Sequence, residues 1–134
     1  MAAYAPWISY PPAIGGLTLG NGVSAGWYKR DGTTLRFNFR ITAGTTSANG
    51  AGAWTVGLPA GMTSAAGRSQ WFQGNLYDSS ANLLWDLRWR TLPSVAVCDA
   101  WYGNAAATTL APTTPITIGV SDLIEGGGLI EILP

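Results

Sequence analysis

The sequence predicts an all-β fold, a jelly-roll-like two-sheet β-sandwich with an extended N-terminal arm, and three observations carry that prediction. Apolar residues recur with period two in one segment after another of the 134-residue chain. Gly, Pro, Asn and Ser punctuate these segments at intervals of roughly 8–12 residues, which allows about 8–10 short strands and is the rhythm of sandwiches and barrels. No segment reads better as a helix. A jelly roll is the most economical closure at this length, because two inner faces hide most strand edges around a core about 10 Å thick. An immunoglobulin arrangement is disfavoured, since the single Cys leaves no pair to bracket a Trp.

Residues 1–12 (MAAYAPWISYPP) are poor in charge and rich in Tyr, Trp and Pro. Consecutive prolines remove N–H donors and favour extended polyproline II, so the segment resists helix and cannot be a central strand. Residues 1–15 therefore read as an extended arm and 16–134 as a single β-sandwich domain. The arm's Tyr4, Trp7 and Tyr10 are expected to lie against its own domain or a neighbouring subunit. A short strand over 17–19 follows, closed by Gly20-Asn21-Gly22.

The cleanest pattern is 33–42 (TTLRFNFRIT), where Leu35, Phe37, Phe39 and Ile41 share one face and Arg36, Asn38 and Arg40 the other. Residues 22–30 precede it across Asp31-Gly32, a hairpin signal read as a type I′ turn. Residues 43–53 are a small-residue loop, and 53–58 alternate again before Pro59. After a second such loop at 61–68, residues 69–78 form a strand in which Gly74 marks a bulge or a close backbone approach.

Asp78 to Ala81 is a turn, and 82–91 (NLLWDLRWRT) alternates Leu83, Trp85, Leu87 and Trp89 against Leu84, Asp86, Arg88 and Arg90. Trp85 and Trp89 also stand four apart, as on a helix, but strict alternation and the Leu92-Pro93 exit favour strand. Shorter strands are expected in 94–102, 115–120 and 122–133, with a small-residue loop at 105–111. Gly126-Gly127-Gly128 is read as a hairpin tip or a bulged break.

Charged residues make up 10% of the chain and cancel to zero net charge, against a typical ~25%. Such a surface offers no electrostatic footprint for nucleic acid or an anionic membrane. Combined with 47% hydrophobic residues and seven Trp, it suggests a surface covered by copies of the same chain. His is absent and Cys98 stands alone, which removes Ser/His/Asp and Cys/His nucleophile arrangements and most metal sites. Cys98 reads as a small buried hydrophobe. No basic n-region with a long apolar run opens the chain and no run has membrane-helix length, so a soluble product of the cytoplasm is expected.

Asp86, Asp99, Asp122, Glu125 and Glu131 could supply a glycosidase pair only if the fold assembled two of them. Trp27, Trp54, Trp85 and Trp89 are expected in the core, and Trp7, Trp71 and Trp101 at subunit contacts. The competing reading is a row of exposed Trp stacking on sugar rings. Arg36, Arg40, Arg88 and Arg90 share polar faces, either pairing with acids or standing in solvent, where each pair contributes ~0–1 kcal/mol.

The run 16–58, with LTLGNG, GWYKRDGTTLRFNFRI, a Gly/Thr/Ser/Asn loop and a Trp-containing strand ending in Val56-Gly57-Leu58-Pro59, resembles a β-domain of virion proteins in tailed bacteriophages of actinobacteria. Asp122 followed by an apolar Glu-containing strand fits the same pattern. The resemblance covers about two-thirds of the chain and implies a virion structural protein rather than an enzyme, with no catalytic residues and no cofactor or metal. With no coiled coil or collagen-like stalk in the sequence, the expectation is a capsid decoration protein. It would form homotrimers on the capsid exterior and bind the major capsid protein through Tyr4, Trp7, Tyr10, Trp71 and Trp101. The alternative is a receptor- or carbohydrate-binding tail or spike module that takes a host-surface glycan.

Overall fold

A computed structural model describes residues 6–102, 108–109 and 117–134. It is all-β and sandwich-like, with no helix among the described residues. The strands are β1 (Ile8–Tyr10), β2 (Ile14–Gly15), β3 (Leu17–Thr18), β4 (Val23–Asp31), β5 (Thr34–Thr42), β6 (Ala48–Asn49), β7 (Thr55–Gly57), β8 (Gln70–Asp78), β9 (Leu83–Thr91), β10 (Val97–Tyr102), β11 (Thr108–Thr109) and β12 (Leu123–Glu131). One antiparallel sheet runs β1-β4-β5-β12-β8-β9-β10-β7-β2, with β11 added to β10, and β3 and β6 form a separate two-stranded sheet.

The order explains the curl. β1 pairs with β4 at one edge and β2 with β7 at the other, yet only three residues separate β1 from β2 in the chain. Residues 8–15 therefore act as the stave that brings the two edges together, and Gly57 N–H donates to the Ala13 carbonyl at 2.8 Å beside them. Residues 8–15 are extended, and Pro11 and Pro12 sit between the two edge pairings where no N–H is wanted. Tyr10 is 8% exposed, packed edge-on against Tyr28 at 5.6 Å. It is internal to its own chain, because the stave turns it into the core. Tyr4 lies outside the described residues.

The β4–β5 register pairs Asp31 with Thr34, so the loop is Gly32-Thr33 rather than Asp31-Gly32. Only Gly32 has positive φ (58°), the pattern of a type II′ turn and not the expected I′. On the inner face Leu35, Phe37, Phe39 and Ile41 are buried as the alternation demands. The Asp78 carboxylate accepts hydrogen bonds from Ser80 Oγ, Ser80 N–H and Ala81 N–H in the β8–β9 turn. The Ser80 hydroxyl, then the Ala81 N–H, hold its pKa below the usual carboxylate range.

The glycine run is neither a hairpin tip nor a break. β12 is continuous through Gly126-Gly127-Gly128 and lies between β5 and β8, pairing Gly126 with Phe39 on one side and Gly74 on the other. The Phe39 and Trp89 rings meet edge-to-face at 5.0 Å across this strand. A Cβ on Gly126 would stand 2.7 Å from both Phe39 Cζ and Trp89 Nε1, and one on Gly128 2.6 Å from Phe72 Cβ. The glycines are thus the hollow into which neighbouring aromatics fit, which offsets their weak strand propensity. Gly74 does the same without a bulge: a Cβ there would run into the Glu125 carbonyl and the Trp89 ring.

Trp54 and Trp89 are core residues, as expected, and Trp85 is half-buried against Tyr102. Cys98 is buried, and burial, with Asp99 adding, pushes its thiol up to about 12. Burial, and then the nearby Cys98, also raises the Tyr10 phenol above its usual range. Residues 117–120 are not a strand, although Ile118 is buried; residues 115–116 of the expected 115–120 strand and most of the 105–111 loop lie outside the described residues. The Asp122 carboxylate is buried and accepts from Ser79 N–H (2.9 Å), Ser79 Oγ (3.1 Å) and Gly119 N–H (2.7 Å), tying the last loop to the β8–β9 turn.

Candidate functional site

Because side chains alternate along each strand, every inner-face row of the sheet implies an outer-face row beside it. The registers of the sheet place Trp27 (β4), Asn38 (β5), Gly127 (β12), Gln73 (β8), Arg88 (β9) and Trp101 (β10) in one such row. Five inter-strand steps of ~4.8 Å make it about 24 Å long. It has an indole at each end, amides and a guanidinium between, and no side chain at its middle, where Gly127 stands.

This row is the floor of a trough of about 1070 Å³, whose lining includes Trp27, Trp71, Gln73, Arg88, Trp101 and Gly127. Small-molecule sites commonly measure about 300–1,000 Å³, so the trough suits a ligand of several linked units. Among the described residues, the side chains of Asn38, Gln73, Asn75, Asp86 and Arg88 have no hydrogen-bonding or ion-pair partner. Their polar groups are open to whatever enters.

The aromatic wall is held by charge. The Arg90 guanidinium lies 4.7 Å from the Trp101 ring and 5.7 Å from the Trp71 ring, so one cation stands between two indoles. Asp99 grips that guanidinium with both oxygens, at 3.1 and 2.6 Å, and accepts the Trp101 indole N–H at 3.0 Å. Cation–π contacts of this kind contribute about 0.5–2 kcal/mol. Here they fix where the rings stand while Trp71 stays 53% exposed. Across the trough Arg40 holds Glu125 at 3.2 Å.

The five residues expected as contacts thus part ways. Trp71 and Trp101 come together in the trough wall, Trp7 is exposed with the Lys29 ammonium 5.0 Å from its ring, Tyr10 is internal and Tyr4 is outside the described residues. Trp27 corrects the core assignment: it is 44% exposed and forms the far end of the floor, because its hairpin partner is polar-face Asn38. The amides Asn38 and Gln73 and the floor glycine were not singled out from sequence as a site. The available signal was the hairpin register: counting from the turn sets Trp27 opposite a polar-face residue of 33–42, Arg36 for a turn at Asp31-Gly32 and Asn38 for the observed one.

Comparison with protein-family models, with curated proteins and with solved structures finds no match. Among the described residues no group of three or more His, Cys, Asp or Glu is placed to hold a metal ion, and no helix is long and apolar enough to cross a membrane.

Proposed function

We propose that this chain is a carbohydrate-binding module and that the trough is its recognition surface. The observation that carries the reading is the cross-strand row with Trp27 and Trp101 at its ends and unpartnered amides between them. Sugar rings present flat C–H faces, which stack on indoles, and rims of hydroxyls, which amides and charged groups can hydrogen-bond. Pinned rings spare the ligand the cost of ordering them, the general benefit of preorganisation.

A binding role is favoured over hydrolysis by where the carboxylates are. Glycoside cleavage uses two of them, whereas Glu125, Asp99 and Glu131 each hold an arginine and Asp122 is buried as a loop tie, which leaves Asp86 as the one unpaired carboxylate lining the trough among the described residues. A virion setting, on a tail or spike, is supported by the sequence resemblance alone. The test is titration of purified protein with a panel of soluble oligosaccharides, followed calorimetrically. A saccharide should bind, and Trp71→Ala and Trp101→Ala should each weaken it at least about tenfold, or 1.4 kcal/mol. Binding that survives both substitutions, or no binding by any saccharide, would reject the trough.

A second reading, a homotrimeric capsid decoration protein, is favoured by a different row. Val23, Thr42, Leu123, Tyr77 and Leu84 line up across β4, β5, β12, β8 and β9 on the same outer face. Val23 and Leu84 are exposed, and so is Val120, whose carbonyl is bound by the Ser79 hydroxyl at that end of the sheet. Two further copies of the chain are the proposed occupants. Light scattering should give the trimer mass for the wild type and the monomer mass for Leu84→Asp, and only the trimer should pellet with capsids.

A further inference from the structure

The trough does not end at the floor row. A second, more open hollow of about 550 Å³ shares Asn38 and Gly127 with it and continues over Gly128 to Arg36, Leu129 and Trp7. The sheet helps to open this path. β8 pairs with β12 only as far as Gly127–Gln73, and beyond that point the Gln70 side-chain amide replaces the ladder, accepting from Glu131 N–H at 2.7 Å and donating to the Glu131 carbonyl at 2.8 Å.

The corner reached in this way is cationic. Lys29 and Arg36 are direct cross-strand partners on the outer face of β4 and β5. Like charges in that position repel and destabilise a sheet. Among the described residues neither has an acidic partner, whereas Arg40, Arg68 and Arg90 each have one. Arg36 lines the hollow, and Lys29 sits against the Trp7 ring that borders it. Among the described residues the unpaired charges lining the joined groove are therefore Arg36 and Arg88 against the carboxylate of Asp86, with Lys29 behind the Trp7 ring at its border and Glu125 held by Arg40. An anion seated between Lys29 and Arg36 would turn a repulsive pair into two charge-assisted contacts.

Resting on the carbohydrate-binding reading, we propose that the ligand is a linear acidic glycan. Its sugar rings lie along the Trp27–Trp101 row, and a carboxylate, phosphate or sulfate group on the same chain is bound at the Trp7–Lys29–Arg36 corner. The groove thereby selects chain length and charge together: a short neutral sugar fills only the floor row.

The experiment is an array of neutral, uronate-bearing, phosphorylated and sulfated oligosaccharides of graded length, probed with the purified protein and with Arg36→Gln. The Arg36 side chain is exposed and makes no hydrogen bond or ion pair among the described residues, so the variant should fold as the wild type does. Acidic chains should bind about tenfold more tightly than their neutral counterparts, and Arg36→Gln or raised salt should erase that gain while leaving neutral binding unchanged. Which acidic class gains identifies the anion. Inorganic polyphosphate should not compete as strongly as the acidic glycan; if it does, the corner is a general anion site and the chain selectivity is refuted. Equal binding of neutral and acidic chains overturns this inference and leaves the carbohydrate reading standing. No binding by any glycan overturns both.

Discussion

Adding one methyl group to Gly126 should cost this protein a measurable part of its stability. In Gly126→Ala the new Cβ stands 2.7 Å from Phe39 Cζ and from Trp89 Nε1, where carbon contacts need ~3.5–4.0 Å, so the rings must retreat by about 1 Å. They have little room, since Trp89 lies 5.0 Å from Phe39 on one side and 6.3 Å from Phe72 on the other. The Trp89 indole also donates to the Glu125 carbonyl at 3.1 Å, and that bond is lost if the ring moves. Overpacking costs about 1–3 kcal/mol and a broken buried hydrogen bond about 1–2 more. Replacing a mid-strand Gly by Ala returns roughly 0.5–1 kcal/mol. The net loss is about 1–4 kcal/mol, or roughly 4–16 °C in Tm for a domain of this size. Urea and thermal unfolding followed by tryptophan fluorescence measure it. Gly119→Ala is the matched control, because its Cβ would meet nothing closer than Asp122 Oδ2 at 3.6 Å; it should change stability by less than about 0.5 kcal/mol. A Gly126→Ala variant as stable as the wild type would refute the placement of the glycine run beneath the aromatic rings.

Other expectations are independent of that one. Asp122→Ala removes three hydrogen bonds to a buried carboxylate and should cost about 3 kcal/mol, with Asp122→Asn intermediate, read from urea midpoints. Stability should fall as pH rises above 9: the unfolded Cys98 thiol ionises from 9.0 while the folded one holds its proton to about 12, so the unfolded chain binds fewer protons. The loss from Cys98 is about 1 kcal/mol between pH 9 and 10, steepening toward about 1.4 kcal/mol per pH unit above that, and Cys98→Ala should flatten the curve there; an unchanged slope would contradict it. Arg90→Gln should lower glycan affinity about tenfold with little change at neutral-pH folding beyond ~1–2 kcal/mol, because the rings of Trp71 and Trp101 lose the cation that spaces them. Unchanged affinity in that variant would show that the rings stand without it.

Local patterns in the chain expressed most of the strands, because alternation and turn residues act over a few positions. The 33–42 strand, the β8–β9 hairpin and the burial of Cys98 follow from such patterns. What local pattern missed was decided by distant partners. The glycine run reads as a turn until β12 is placed between β5 and β8, strands whose rings fill its hollow. Tyr10 reads as packed either on its own domain or on a neighbouring subunit until residues 8–15 are seen to join both sheet edges. The face of Trp27 was legible, since the Asp31-Gly32 turn read from the sequence sets it opposite Arg36 and the observed Gly32-Thr33 turn sets it opposite Asn38, both on the polar face. The rest of the trough was not, because its floor draws one residue from each of six strands.

The most direct measurement is a two-dimensional ¹H–¹⁵N spectrum of the indole N–H groups, recorded while a binding oligosaccharide is added. The seven Trp supply seven indole N–H groups to follow. Those of Trp27, Trp71 and Trp101 should shift together with a single affinity, while core Trp54 and Trp89 stay in place. Shifts confined to other tryptophans, or none at any saccharide concentration, would contradict a sugar-binding trough.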